Sequence, residues 1–127
     1  MTNILIVEDE PIIAMDIRFT LNQIGTDKIY LVDNGKDAIK IVNSIPIDLI
    51  IMDINIDGEI DGIETADIIR KKHKIFIIYC SANSDGETLK RANLTAESSF
   101  IEKPFEQNQL IAIIKRKIPS LKKTAIQ

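Results

Sequence analysis

Five short apolar runs alternate along this chain with five longer segments in which apolar positions recur every three or four residues. The runs, at residues 4–7, 28–32, 49–52, 75–79 and 99–101, are rich in β-branched residues and mostly lack the polar alternation of a half-exposed strand. They predict five buried parallel strands, because a strand covered on both faces reads as a continuous hydrophobic stretch. Residues 11–24 predict a helix: Pro11 suits a first turn, Gly25 ends it, and Ile13, Ile17, Leu21 and Ile24 fall at helical spacing. Residues 36–44, 62–72, 86–92 and 107–118 repeat the pattern less uniformly. The chain therefore reads as (βα)5, an α/β three-layer sandwich with a doubly wound parallel five-stranded sheet, right-handed crossovers and helices on both faces. Ligands of such folds bind outside the carboxyl ends of the strands, where strand order reverses.

That edge collects the polar chemistry. Glu8 and Asp9 follow the first run, Asp53 ends the third, Ser81 lies two residues past the fourth, and Lys103 follows the fifth. Three carboxyl groups at one sheet edge need a cation or protons to coexist. Oxygen-only ligands suit magnesium, which keeps several waters and takes few protein carboxylates. On this reading Asp9 and Asp53 bind Mg2+ directly, Glu8 stands close by or acts through water, and a main-chain carbonyl such as that of Asn55 adds an oxygen. Asp53 can then attack phosphorus as a carboxylate nucleophile. The metal and Lys103 would stabilise the equatorial oxygens, and Ser81 would hydrogen-bond one of them afterwards.

Composition narrows the class. A chain of 127 residues is one ordinary domain, able to bury roughly two-thirds of its unfolded surface. Sixteen basic against nineteen acidic residues give a formal charge of −3. Nothing global draws the domain to nucleic acid or anionic lipid, and no direct nucleic-acid binding is expected of it. The single cysteine, Cys80, excludes an internal disulfide and a CxxC zinc site and reads as a buried thiol. No basic segment with a signal-type apolar stretch opens the chain, and no apolar run approaches the roughly 18 residues of a membrane span. A cytoplasmic protein without membrane association is the expectation. Residues 1–118 read as the domain and 119–127 as a loose tail or the start of a linker.

His73, the lone histidine, sits among lysines at an expected helix end and reads as a solvated cation near the C-terminal dipole rather than a relay histidine. Lys115-Arg116-Lys117 with Lys122-Lys123 reads as the exposed face of the last helix plus its tail, with partner docking as the alternative.

Residues 3–118 resemble the receiver domain of two-component response regulators. The motifs that carry the resemblance occur in order: Ile-Val-Glu-Asp-Glu at 6–10, Met-Asp-Ile-Asn at 52–55, Asp61-Gly62, Ser81-Ala82, and Lys-Pro-Phe at 103–105. Each alone is weak; together on a (βα)5 chain they are highly specific. The resemblance implies a flavodoxin-like strand order 2-1-3-4-5 and phosphorylation of Asp53 by a phosphohistidine on a sensor histidine kinase or phosphotransfer protein. It implies Mg2+ held by Glu8, Asp9, Asp53 and the main chain of Asn55, a switch hydroxyl at Ser81, a phosphate-contacting Lys103, and a cis Lys103–Pro104 bond that aims the ammonium at the pocket. The switching face would be the fourth helix, fifth strand and fifth helix, which signals to a downstream output domain or protein and offers a homodimer surface. Enzymatic activity would be limited to taking the domain's own phosphoryl group and hydrolysing it later.

Several positions depart from the commonest family pattern. The loop between Asp53 and Asp61 is one residue longer than usual and lacks the frequent proline. Phe100 stands where the family often has a switching tyrosine; it is read as either a switch residue or plain core. Asn55 and Asn83 occupy the places where the family tunes dephosphorylation. Two other classes compete. A small-molecule phosphotransferase or hydrolase of the haloacid-dehalogenase type would want a second aspartate where Asn55 stands. A flavin or nucleotide carrier would want a phosphate loop after the first strand, where Glu8-Asp9-Glu10 repels phosphate.

Overall fold

The computed structural model describes residues 1–121. Strands and helices alternate throughout: β1 (Asn3–Val7), α1 (Pro11–Gln23), β2 (Lys28–Val32), α2 (Gly35–Ser44), β3 (Leu49–Asp53), α3 (Gly62–Arg70), β4 (Phe76–Ser81), α4 (Gly86–Ala92), β5 (Ser98–Glu102) and α5 (Gln107–Lys117). Every strand pair is parallel and the sheet order is β2-β1-β3-β4-β5. The order reverses between β1 and β3, so the crevice falls beside the ends of those strands, where Glu8 and Asp53 emerge.

Successive side chains of a strand point to opposite faces, and each central strand feeds two cores. Leu5, Val7, Ile50, Met52, Ile77 and Tyr79 pack with Ala38 and Val42 of α2, Ile63, Ala66 and Ile69 of α3, and Ala92 of α4. Ile4, Ile6, Leu49, Ile51, Ile78 and Cys80 pack with Ile17 and Leu21 of α1 and Leu110 and Ile114 of α5. Each such aliphatic side chain stabilises the fold by about 1.5–3 kcal/mol. Burial on both faces is why these runs lack alternation.

The five runs are not equally covered. β3 and β4 are buried throughout and β1 nearly so, whereas β2 has no buried residue and β5 has one, Ile101. The expectation of five buried strands is corrected for these two. An edge strand has a neighbour on one side only, and helices seated over the middle of the sheet cover it incompletely. The polar residues Lys28, Ser98, Ser99 and Glu102 mark that exposure.

Helix limits follow local chemistry. α1 starts on Pro11 without a side-chain cap and ends before Gly25, whose φ of +84° favours glycine. Asn34, Asp61 and Asp85 cap α2, α3 and α4 through their side chains, and Asp61 with Glu64 forms a reciprocal capping box. α3 stops at Arg70, short of Lys72, with the amides of Lys71, Lys72 and His73 bonding back to Ile68 and Ile69 carbonyls. Packing runs past the boundary expected at Ile118, since Leu121 is buried in the α1/α5 core. The rest of the expected tail, residues 122–127 with Lys122 and Lys123, lies outside the described residues. No described helix is long and apolar enough to cross a membrane.

Candidate functional site

The crevice assembles at the ends of four strands, β1, β3, β4 and β5, and from the loops after them. Asp53 ends β3 and is 4% exposed; Ser81 ends β4 and is fully buried. Backbone bonds join these ends: the amide of Ile54 donates to the carbonyl of Cys80 at 2.9 Å, and that of Lys103 to the carbonyl of Ser81 at 2.9 Å. Glu8, just past β1, is held by its amide on the Val32 carbonyl at 3.0 Å. The Lys103–Pro104 peptide bond is cis.

Lys103 is the cation among the acids. Its Nζ lies 2.9 Å from Glu8 Oε1 and 3.3 Å from Asp53 Oδ2. The other Glu8 oxygen accepts the Glu10 amide at 3.2 Å, and Asp53 Oδ1 accepts the Asn55 amide at 3.1 Å. Burial pushes Glu8 up to about 7; the hydrogen bond from Lys103 works against this and the neighbouring Asp53 carboxylate adds to it. Burial opposes the Lys103 ammonium, but the hydrogen bond to Glu8 and the charges of Asp53 and Glu8 outweigh it and raise its pKa.

The loop after β3 closes over the acids. Asp9 Oδ2 accepts the amide of Asp57 at 3.0 Å, tying the loop to the segment after β1, and Lys36 of α2 pairs with Glu59 at 2.8 Å on the exposed surface. Gly62 is obligatory at its end: a Cβ there would stand 2.8 Å from the Ile54 Cα, in the backbone beside Asp53. On the opposite wall the Ser81 hydroxyl oxygen accepts the Asn83 amide at 3.0 Å and the Asn55 side-chain amide at 3.3 Å.

The donor set fits a hard divalent cation. Oxygens of Glu8, Asp9 and Glu10 lie within 4.8 Å of one another, an all-oxygen set of the kind such a cation takes. Glu10 went unremarked as a donor in the sequence, although the contiguous Glu-Asp-Glu was the signal. Asp53 faces the same charge from the next strand, and the Asn55 backbone is tied to it.

Other candidates fall elsewhere. Phe100 is partly buried in β5, in register with Tyr79, two positions back from the Ser81 pairing. His73 lies beyond α3, its Nε2 2.8 Å from Asn43 Oδ1. Lys117 sits 4.8 Å over the Phe76 ring and 3.7 Å from Glu97, so the basic end of α5 is partly engaged. Cys80 is buried, and burial pushes its thiol far up, leaving an inert side chain. Sequence reading missed the Arg91–Asp61 ion pair at 2.8 Å and the buried hydroxyl of Tyr79; neither belongs to a motif.

Comparison with known proteins agrees with this geometry. The model of the response regulator receiver domain matches residues 4–115. The chain is 33% identical over 116 residues to an NtrX-like response regulator of Rickettsia typhi, covering 90% of this chain and 24% of that protein. It thus spans about a quarter of the length of the curated relatives it matches. The receiver domain of the sensor histidine kinase PA1611 from Pseudomonas aeruginosa PAO1 superposes with a TM-score of 0.82 at 27% identity, over 94% of this chain and 98% of that one. That domain is described with a magnesium ion coordinated in its active-site cleft. The signal receiver domain of a modulated diguanylate cyclase from Desulfovibrio desulfuricans G20 gives 0.81 at 29% identity, over 94% of both chains. With the sheet order, the acidic crevice and the family match in agreement, the chain belongs to the response regulator receiver domain family.

Proposed function

We propose that this domain is a phosphorylation-operated switch of a two-component relay, with Asp53 as the phosphoacceptor. The observation that carries the reading is the buried Asp53 carboxylate facing Lys103 at 3.3 Å, with the Ser81 hydroxyl at the end of the neighbouring strand. A phosphohistidine of a sensor kinase or phosphotransfer protein is the donor. An Asp53 oxygen forms the new P–O bond as the P–N bond breaks, and the electron pair leaves with the imidazole. Glu8, Asp9, Asp53 and the main chain of Asn55 would hold Mg2+, which when bound neutralises charge on the phosphoryl oxygens. Lys103 and Ser81 contact those oxygens, and closing on them favours a second arrangement of α4, β5 and α5 in which Phe100 turns. Asn55 and Asn83 govern the water that later hydrolyses the acyl phosphate, and the domain has no other turnover. The proposed unit is residues 1–118, with Leu121 just beyond it packed in the α1/α5 core, acting in the cytoplasm on an output domain or partner, with α4, β5 and α5 available for homodimerisation.

The donor approaches over α1. Ile12, Met15 and Phe19 are 86%, 61% and 55% exposed on one helical stripe. The stripe borders a groove of about 530 Å3 lined by Ile12, Ile13, Ala82, Lys103, Pro104 and Phe105, with the carboxylates of Glu10 and Asp16 also in its wall. An apolar patch beside the reacting lysine fits a helical partner that presents its histidine to Asp53.

The test is transfer from phosphoramidate in Mg2+, followed by intact mass. One phosphoryl adduct, absent in Asp53→Asn, supports the switch. Steady hydrolysis of p-nitrophenyl phosphate without an adduct would favour a small-molecule phosphotransferase or hydrolase instead.

A further inference from the structure

The longest basic run of this acidic chain, Arg70-Lys71-Lys72-His73-Lys74, leads from the end of α3 towards the start of β4. It opens on a cavity of about 510 Å3 at the amino edge of the sheet, lined by Arg70, Lys71, Lys72, His73, Lys74 and Thr95. A neighbouring cavity of about 380 Å3, also bordered by Thr95, carries Arg116 and Lys117 at the end of α5. Among the described residues Glu97 is the one carboxylate in either wall, and it stands 3.7 Å from Lys117 Nζ.

A helix C-terminus attracts cations, which accounts for Arg70 in the last turn of α3, but that attraction fades within the turn. The next three lysines stand at the cap and beyond it. Lys71, Lys72 and Lys74 are exposed, and among the described residues none has a carboxylate within ion-pair distance. The basic side chains between and before them are fixed: Arg70 donates to the Glu97 carbonyl at 2.7 Å, and His73 Nε2 lies 2.8 Å from Asn43 Oδ1. Three unpaired lysines around one concavity call for an anionic partner.

The surroundings select the kind of anion. Phosphate sites gather free main-chain amides at a helix N-terminus or in a nest. Here the amides of Lys71, Lys72 and His73 all bond back to the Ile68 and Ile69 carbonyls at a helix C-terminus. The bases of single-stranded nucleic acid stack on exposed rings. Phe76, the one aromatic in either wall, is 8% exposed and lies under Lys117. Separate lysines spread along two adjoining cavities match separate carboxylates on a peptide, each carrying a single charge.

We propose that the amino edge between α3 and α5 is a docking surface for an acidic, extended segment of a partner protein. Its carboxylates pair with Lys71, Lys72 and Lys74 and reach Arg116 across Thr95. The surface begins at the opposite end of β4 from Ser81, about 17 Å away at the rise of a strand. A partner seated there leaves the Asp53 crevice open, and the inference does not depend on phosphorylation.

The experiment titrates the whole chain with fluorescein-labelled octaglutamate, read by anisotropy. Saturable one-to-one binding is expected, weakening at least about tenfold between about 20 mM and about 200 mM salt. The triple variant Lys71→Gln, Lys72→Gln, Lys74→Gln should lose about tenfold or more in affinity, and the three lysines replaced by arginine should keep it. The equally exposed trio Lys28→Gln, Lys40→Gln, Lys90→Gln changes the net charge by the same amount and should stay within about twofold. Equal losses in the two glutamine trios overturn the proposal, as does tighter binding of octauridylate or of tripolyphosphate than of octaglutamate. So does a peptide that blocks labelling of the crevice by acetyl phosphate, because it would then be seated on Lys103.

Discussion

The ammonium of Lys103 lies 2.9 Å from a carboxylate oxygen of Glu8, across 95 residues of chain. Both side chains are largely buried, at 14% and 2% exposure. The pair joins the ends of β1 and β5 around Asp53 and sets the charge state of the crevice. Lys103→Met leaves two buried carboxylates facing each other and should cost about 1–3 kcal/mol at neutral pH. Urea unfolding measures this, and the loss should shrink in acid as Glu8 takes up a proton.

Glu8 should make the metal-free protein pH-sensitive. With its pKa raised to about 7, the folded protein keeps a proton that the unfolded chain releases near the ordinary carboxylate value. The stability from this group is full below that unfolded value and is lost as pH rises through about 7. Between about pH 5 and about pH 8 the loss should approach about 2–3 kcal/mol. Glu8→Gln should flatten the profile in chelator. Magnesium affinity should rise with pH over the same interval.

Two glycines should respond oppositely to alanine. At Gly62 a Cβ would stand 2.8 Å from the Ile54 Cα, so Gly62→Ala should cost about 1–3 kcal/mol or more and weaken magnesium binding by moving Asp53. At Gly86 a Cβ meets nothing within 4 Å. Gly86→Ala should be neutral or stabilise by up to about 1 kcal/mol. Thermal melts in chelator and magnesium titrations separate the two effects.

Asp61 serves α3 and α4 together, as N-cap of one and ion-pair partner of the other. Asp61→Ala should lose about 1 kcal/mol through the cap. Arg91→Ala should change stability by less than about 0.5 kcal/mol. Both should speed amide exchange in α4, which identifies the ion pair rather than the cap as its tether.

Much of this site was legible because strands covered on both faces announce themselves as apolar runs, and the residue after each run must stand at the crevice. Glu8 and Asp53 follow from that rule alone; Lys103 stands one residue further on, after Glu102, and was marked by the Lys-Pro-Phe motif. The expected strand order already placed β2 and β5 at the edges; their incomplete cover was missed because the apolar runs were read as buried on both faces while the polar residues Lys28, Ser98, Ser99 and Glu102 were passed over. Tyr79 is hidden for a related reason. Inside the run Ile75-Phe76-Ile77-Ile78-Tyr79 its ring satisfies the apolar pattern, and only the packed structure reveals a hydroxyl without a partner. The Arg91–Asp61 pair spans 30 residues between helices and leaves no periodic trace.

The central claim is that Asp53 itself carries the phosphoryl group. Borohydride converts an aspartyl phosphate to homoserine, so treatment after phosphorylation in Mg2+, followed by peptide sequencing in the mass spectrometer, locates the acyl phosphate directly. The account predicts homoserine at position 53 and nowhere else. Homoserine at Glu8's neighbour Asp9 or at Asp57, or an adduct on His73 that resists borohydride, would contradict it.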